Sequence, residues 1–310
     1  MRKMIFGIVL LCASVPTYSQ CACCAGAGIG SSNGEYNNGL LTLSKRKAVV
    51  ELYADYRTIK DGSAPEEDEK LLTSMLINSV GFRYGIAENF TVSALLPYVS
   101  LNTASGSDSG LGDLILLGTY TVYEKNDFNF ALQGGIELPT GVQKSSAFDN
   151  TTVIVGSGSY DPMAGFLFSK RWNDYTLSGN LLYKHTTRGF QQNYYGSLSV
   201  QNLSLSYRIK GASSICATDA NTSGVATKSV ANFGWSVFAG YSGEWLDKLK
   251  EDGVVDDDSG HYLGLANLGT NMSYKKWAFP ITFSFPVLSQ MNGLQNEFGV
   301  RFRIGIIRAI

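Results

Sequence analysis

Short segments in which apolar and polar side chains alternate strictly recur along this chain, and that period of two constrains its fold more than any other feature. Val50, Leu52, Ala54 and Tyr56 alternate with Glu51, Tyr53, Asp55 and Arg57, so a strand here gathers three charges on one side. A helix would scatter the same residues around its circumference. Phe90, Val92, Ala94, Leu96 and Tyr98 alternate in the same way with Thr91 and Ser93. So do Phe130, Leu132, Gly134, Ile136 and Leu138 with Gln133 and Glu137, and Tyr175, Leu177, Gly179, Leu181 and Tyr183 with Thr176, Ser178, Asn180 and Lys184. At the end, Phe298, Val300, Phe302, Ile304 and Ile306 alternate with Glu297, Arg301 and Arg303. Apolar-out, polar-in alternation over ~10 residues is what a transmembrane β-barrel requires of its strands.

Strands are expected near 47–58, 74–85, 90–100, 112–123, 129–139, 162–170, 175–185, 197–209, 233–245, 261–274, 277–287 and 296–307. The fold class is therefore all-β, a transmembrane antiparallel β-barrel of about 12 strands, an even count that suits a closed bacterial barrel. Short turns at 85–89, 124–127 and 171–174 face the periplasm in such a barrel, and the longer stretches at 60–70, 101–110, 140–159 and 246–259 form extracellular loops. The stretch 210–232 is long where a short turn is expected, which means either a misassigned strand pair or an insertion.

Charged residues make up only 16% of the 310 positions, against ~25% in soluble domains, while glycine (34) and tyrosine (17) are abundant. Met1, Arg2 and Lys3 precede an apolar run from Met4 to about Ser14, the plan of a secretory signal peptide and too short for a membrane-spanning helix. The expected organisation is a signal peptide over 1–19, a Cys- and Gly-rich segment over 20–46 and an outer-membrane barrel over 47–310, exported in a Gram-negative cell. Removing Arg2 and Lys3 from the 25 basic residues leaves 23 against 26 acidic ones, a balance that gives no basis for nucleic-acid binding.

Two stretches are distinctive: Gly110-Leu111-Gly112-Asp113-Leu114 opening one strand, and Glu137-Leu138-Pro139-Thr140-Gly141 closing the next. With the Gly156 to Pro162 segment before another strand, they resemble the meta-pathway phenol-degradation (MetA-pathway) family of FadL-like outer-membrane barrels. The motif positions are Gly110, Gly112, Asp113, Pro139, Thr140 and Gly141, turn residues that carry no catalytic chemistry. The resemblance implies passive passage of small hydrophobic or aromatic molecules, with outer-membrane lipid and the barrel-assembly machinery as partners. The terminal Arg308, Ala309 and Ile310 depart from the aromatic residue on which such barrels commonly finish.

Glu51, Asp55, Arg57, Arg83, Asp113, Glu137, Arg301 and Arg303 are the candidates to line the lumen and set selectivity, since a wet interior tolerates charges. The competing reading is that they pair across the lumen and stiffen the wall. About twelve strands enclose a modest interior, which favours a plug or gated path over a wide pore. Cys21, Cys23 and Cys24 are spaced to bind a soft metal, although export favours disulfides and Cys216 offers a partner; Gln20 disfavours lipidation of Cys21. No cofactor is implied: Gly26 to Gly30 has no strand before it and reads as a tether, not a dinucleotide loop.

Two other functions compete. A lipid-modifying outer-membrane enzyme needs a nucleophile and a base, yet the sequence holds only His185 and His261 and no Gly-x-Ser-x-Gly elbow. A structural or adhesive barrel would use its long loops, with Phe148, Tyr160, Phe190, Tyr194 and Tyr195 as the aromatic anchors. Trp172, Trp235, Trp245 and Trp277 fall near strand ends, where indole rings settle at membrane interfaces. Asp256, Asp257 and Asp258 form an acidic loop of the kind that is ordinarily just solvated.

Overall fold

The computed structural model describes residues 41–60, 72–103, 106–145, 152–211, 233–293, 295 and 297–310. The signal peptide, the Cys21, Cys23 and Cys24 cluster, Cys216 and Phe148 lie outside these residues. Twelve strands form the wall: β1 (Ala48–Lys60), β2 (Leu72–Ala87), β3 (Phe90–Thr103), β4 (Leu114–Lys125), β5 (Phe128–Leu138) and β6 (Asp161–Trp172), then β7 (Tyr175–Lys184), β8 (Leu198–Lys210), β9 (Phe233–Leu246), β10 (His261–Tyr274), β11 (Trp277–Met291) and β12 (Glu297–Ala309). Each pairs antiparallel with its sequence neighbours, and β1 pairs with β12, so the sheet closes on itself without an edge. All twelve expected strands are present. Because β8 and β9 pair from Leu198↔Leu246 to Lys210↔Trp235, with one register shift between Arg208 and Lys210, the strand pair on either side of the 210–232 stretch is not misassigned, which leaves the insertion.

The alternation in the sequence becomes the two faces of the wall. Leu52 and Tyr56 are exposed on β1 while Glu51, Tyr53, Asp55 and Arg57 are buried. A charge turned outward at the bilayer midplane would cost roughly 2–4 kcal/mol, which fixes this register. Around the short-turn end, Trp172, Tyr175 and Tyr207 form an outward stack with ring separations of 6.4 and 5.0 Å, and the Arg308 guanidinium lies 5.0 Å over the Trp277 ring. Trp235 also belongs to this end, whereas Trp245 sits at the long-loop end, so the four tryptophans mark both interfaces. The tight turns have the left-handed residues a two-residue hairpin needs, with φ of 51° at Asn126 and 58° at Asp127.

Of the alternations read from the sequence, the last departs from strict parity at its start. Phe298 was expected on the lipid face and Glu297 inside, but Phe298 is buried against Leu263 and Leu265 and Glu297 is exposed. A register shift between Arg57 and Ile59 in the β1–β12 pairing supplies the extra residue that flips the side chain.

The lumen is narrowed at both ends. At the turn end, residues 41–47 run inward from β1 along the inner wall. Leu43 N–H donates to Thr91 Oγ1 (2.7 Å), the Thr42 and Thr121 hydroxyls are 3.0 Å apart, and Leu41 packs on Ala131 and Leu167. A side chain at Gly85 would collide with the Ser44 carbonyl, so the glycine lets this strap lie against β2. At the loop end, neighbouring loops are tied together. Phe190 N–H donates to Ser157 O (3.1 Å), Tyr194 and Lys250 exchange two backbone bonds (2.9 and 2.8 Å), and Gln295 Nε2 donates to Gly260 O (2.9 Å).

Candidate functional site: the charged interior of the barrel

Three groups of polar side chains occupy the inner wall. The first stands at the loop end of β4 to β7. Asp113, fully buried, accepts the Gly141 N–H on Oδ1 (2.7 Å) and both the N–H and the hydroxyl of Ser157 on Oδ2 (2.5 and 2.7 Å). A Cβ on either Gly141 or Gly156 would fall about 2.4–2.5 Å from the other residue's Cα, so two glycine backbones touch directly beneath the carboxylate. Thr140 Oγ1 accepts the Leu114 N–H (2.8 Å), Gly112 N–H donates to Pro97 O (2.9 Å), Gly110 lies in a short strand paired with β3, and Pro139 follows the end of β5. The distinctive motifs thus form one latch, fastening the β3–β4 connection to the β5–β6 loop.

Beside the latch, Glu137 Oε1 accepts a 3.0 Å bond from Lys184 Nζ, with both side chains shut off from solvent, while Glu137 Oε2 has no hydrogen-bond partner among the described residues. Asp161 accepts the Thr187 N–H (2.8 Å), pinning the start of the β7–β8 loop.

The second group is on β1 and β2, where Arg83 donates to Glu51 at 3.2 Å. The third surrounds an internal cavity of about 40 Å³ of water-accessible volume, room for about three waters at ~10–15 Å³ each. Asp55 and Arg57 pair across one face of β1 (2.9 Å), and Arg301 grips Glu244 with two bonds of 2.5 and 2.8 Å across the barrel. Arg303 joins them at the cavity wall, its guanidinium 4.8 Å above the Tyr53 ring.

All eight charged lining candidates therefore sit on the inner wall, but in separate groups: Asp113 with Glu137, Glu51 with Arg83, and Asp55 and Arg57 with Arg301 and Arg303. Sequence reasoning passed over Glu244, Lys184 and Asp161 as site residues. For Glu244 the signal was available, since Ser236, Ser242 and Glu244 share one face of β9.

Outside the membrane-spanning wall, Lys248 donates to the exposed Asp257 at 2.5 Å and holds its carboxyl below the usual carboxylate range. Burial pushes the Tyr194 phenol up. Among the described residues no group of three His, Cys, Asp or Glu side chains converges as a metal site would. Tyr195, read above as a candidate protein-binding anchor, is buried in a small core with Leu249, Phe190 and Leu246. A serine–histidine contact does exist: Ser197 Oγ lies 3.5 Å from His185 Nδ1. That hydroxyl is buried, lies 2.7 Å from the Tyr194 hydroxyl and accepts the Thr186 N–H at 3.3 Å, so its bonding capacity is spent on holding the loop.

The closed antiparallel sheet with a lipid-facing apolar belt and a charged interior defines an outer-membrane β-barrel. The chain belongs to the family described as "Putative MetA-pathway of phenol degradation", whose model matches residues 71–287 and so contains the whole latch. Among curated proteins none matches by sequence. Among solved structures, the COG4313 outer membrane channel from Pseudomonas putida F1 is similar at a TM-score of 0.63 and 15% identity, covering 90% of this chain and 100% of that one. LpxR from Salmonella typhimurium (TM-score 0.43, 11% identity, 84% and 99% covered) and the CymD monoaromatic hydrocarbon channel (0.40, 9%, 86% and 89%) share only the broad outline.

Proposed function

We propose that this barrel is a passive channel for small hydrophobic or aromatic molecules, carrying them inward or outward across the outer membrane. The observation that carries the reading is the interior itself: a lumen narrowed by the strap at one end and the tied loops at the other, with a small, mixed polar and apolar cavity between. Such a path is selective by size and chemistry and is not a wide aqueous pore. The family description, which concerns phenol degradation, supports a small aromatic solute. A lipid-hydrolase reading finds no free nucleophile in Ser197, because its hydroxyl is buried in loop contacts. Export by a cleaved signal peptide over 1–19 and insertion by the barrel-assembly machinery complete the proposal.

The test is uptake into liposomes that contain the refolded protein. Small aromatic and aliphatic solutes are compared with sugars of similar size, with empty liposomes as the baseline. Faster entry of the aromatic or apolar solutes is expected. A folded, inserted protein that admits none of them would refute the proposal.

A further inference from the structure

At the turn end of the wall, one rung of the sheet carries an arrangement that the channel reading does not use. Tyr274 at the end of β10 pairs with Trp277 at the start of β11, and Trp277 pairs with Arg308 near the end of β12. All three side chains are exposed on the lipid side of the wall. The turn between the first two is Lys275-Lys276, with Lys275 in the left-handed region at a φ of 52°. Each ring is covered by a cation: the Lys275 ammonium stands 5.3 Å from the centre of the Tyr274 ring, and the Arg308 guanidinium 5.0 Å from that of Trp277. Within ~6 Å a ring quadrupole attracts a cation.

These cations are positioned but not neutralised. Among the described residues neither Lys275 nor Arg308 forms an ion pair. Tyr274 and Trp277 stand on neighbouring strands, ~4.8 Å apart, so their two cations are close enough to meet one ligand. The planar fork of a guanidinium matches the oxygens of a phosphate. Toward the membrane centre the same outward face continues with exposed Phe279 on β11 and Ile306 on β12, an apolar surface directly beneath the charges. The belt at the loop end is built differently. Trp245 is exposed there too, but among the described residues no cation stands over its ring, and Lys248 of the adjoining loop is bonded to Asp257.

From this geometry we infer that the rung of Tyr274, Trp277 and Arg308, with Lys275, is a binding site for an anionic phospholipid. Its phosphate sits on Arg308 and Lys275, and its acyl chains lie along Phe279 and Ile306. Short turns of such barrels face the periplasm, so the lipid belongs to the periplasmic leaflet. A zwitterionic headgroup brings an ammonium that Lys275 and Arg308 repel, whereas a net negative headgroup does not, so the site selects for charge. The inference needs only an inserted barrel and is independent of the channel reading.

The experiment is quenching of Trp277 fluorescence by lipids brominated in their acyl chains. The refolded full chain is placed in phosphatidylcholine vesicles that hold equal fractions of either brominated phosphatidylglycerol or brominated phosphatidylcholine. Trp277→Phe, measured in parallel, isolates the Trp277 signal. Brominated phosphatidylglycerol is expected to quench that signal roughly twofold or more beyond brominated phosphatidylcholine. Lys275→Gln combined with Arg308→Gln should make the two lipids equal. Equal quenching in the unmodified protein, or a preference that survives the double variant, would overturn the inference. Should the double variant fail to insert, the unmodified protein in about 1 M salt decides, where screening acts within ~3 Å. A preference that collapses there supports the site, and one that persists overturns it. Abolition of the preference by dilute glycerol phosphate would mean that the site takes a free phosphate, and would overturn the lipid assignment.

Discussion

The two ends of the lumen are narrowed by opposite means. At the loop end the closure is polar and joins the connections between strands to one another: Asp113, buried at the head of β4, draws Gly141 and Ser157 together with three charge-assisted bonds. At the turn end it is a strap lying on the wall, held by the Leu43 N–H on Thr91, two backbone bonds between Arg46, Lys47 and Gly85, a threonine pair and the burial of Leu41 and Leu43. Loss of the first leaves backbone donors without partners, whereas loss of the second uncovers small apolar patches on the inner wall and breaks no ladder bond between strands. The loop end thus belongs to the folding unit, while on the proposed channel reading the strap belongs to the permeation path.

The largest effect is therefore expected at the latch. Asp113→Ala should destabilise the barrel by about 5 kcal/mol or more, since each bond to a charged acceptor is worth ~1.5–3 kcal/mol and the freed N–H groups stay buried. Urea unfolding of the lipid-inserted protein measures it, and faster proteolysis within the β3–β4 and β5–β6 loops should accompany it. A loss under ~1 kcal/mol would mean that the latch is decoration and the contrast false.

Why the latch was visible in the sequence but unreadable there follows from its geometry. Asp113 and Ser157 are 44 residues apart, and nothing local to either says that they meet. The motif could be seen as unusual, because two glycines and an aspartate opening a strand are poor strand residues, yet its role needs the loop to fold back. The wall was legible throughout, because a period of two under lipid on one side leaves a strand no other register. It misled at Phe298, where a bulge resets the parity without marking the sequence. The partners of lumenal charges were hidden for the same reason as the latch. Glu244 and Arg301 stand on strands three apart around the barrel, a distance set by closure and not by spacing along the chain.

A smaller effect, and a sharper one, is expected at the neighbouring Glu137–Lys184 pair. Lys184→Met alone strands a buried carboxylate and should cost about 3–5 kcal/mol. Adding Glu137→Leu removes the stranded charge, and the double variant should return close to the parent, so that the two substitutions are strongly non-additive. Urea midpoints for the four proteins give the coupling directly. Additive losses would show that each group is held by its surroundings and not by the other, and that this part of the loop end is not built as a unit.

The smallest effect on stability, with the largest on permeation, belongs to the strap. Replacing Leu41 and Leu43 together by Ser removes its apolar hold without touching a single ladder bond of the wall, so the strap can leave while the barrel stays folded. The melting temperature should shift little, and single-channel conductance in a planar bilayer should rise several-fold as the turn end opens. If conductance stayed at the parent level while stability fell sharply, the strap would be a structural brace like the latch. The difference between the two ends would then lie only in the chemistry of closure, with polar bonds at one and packed leucines at the other.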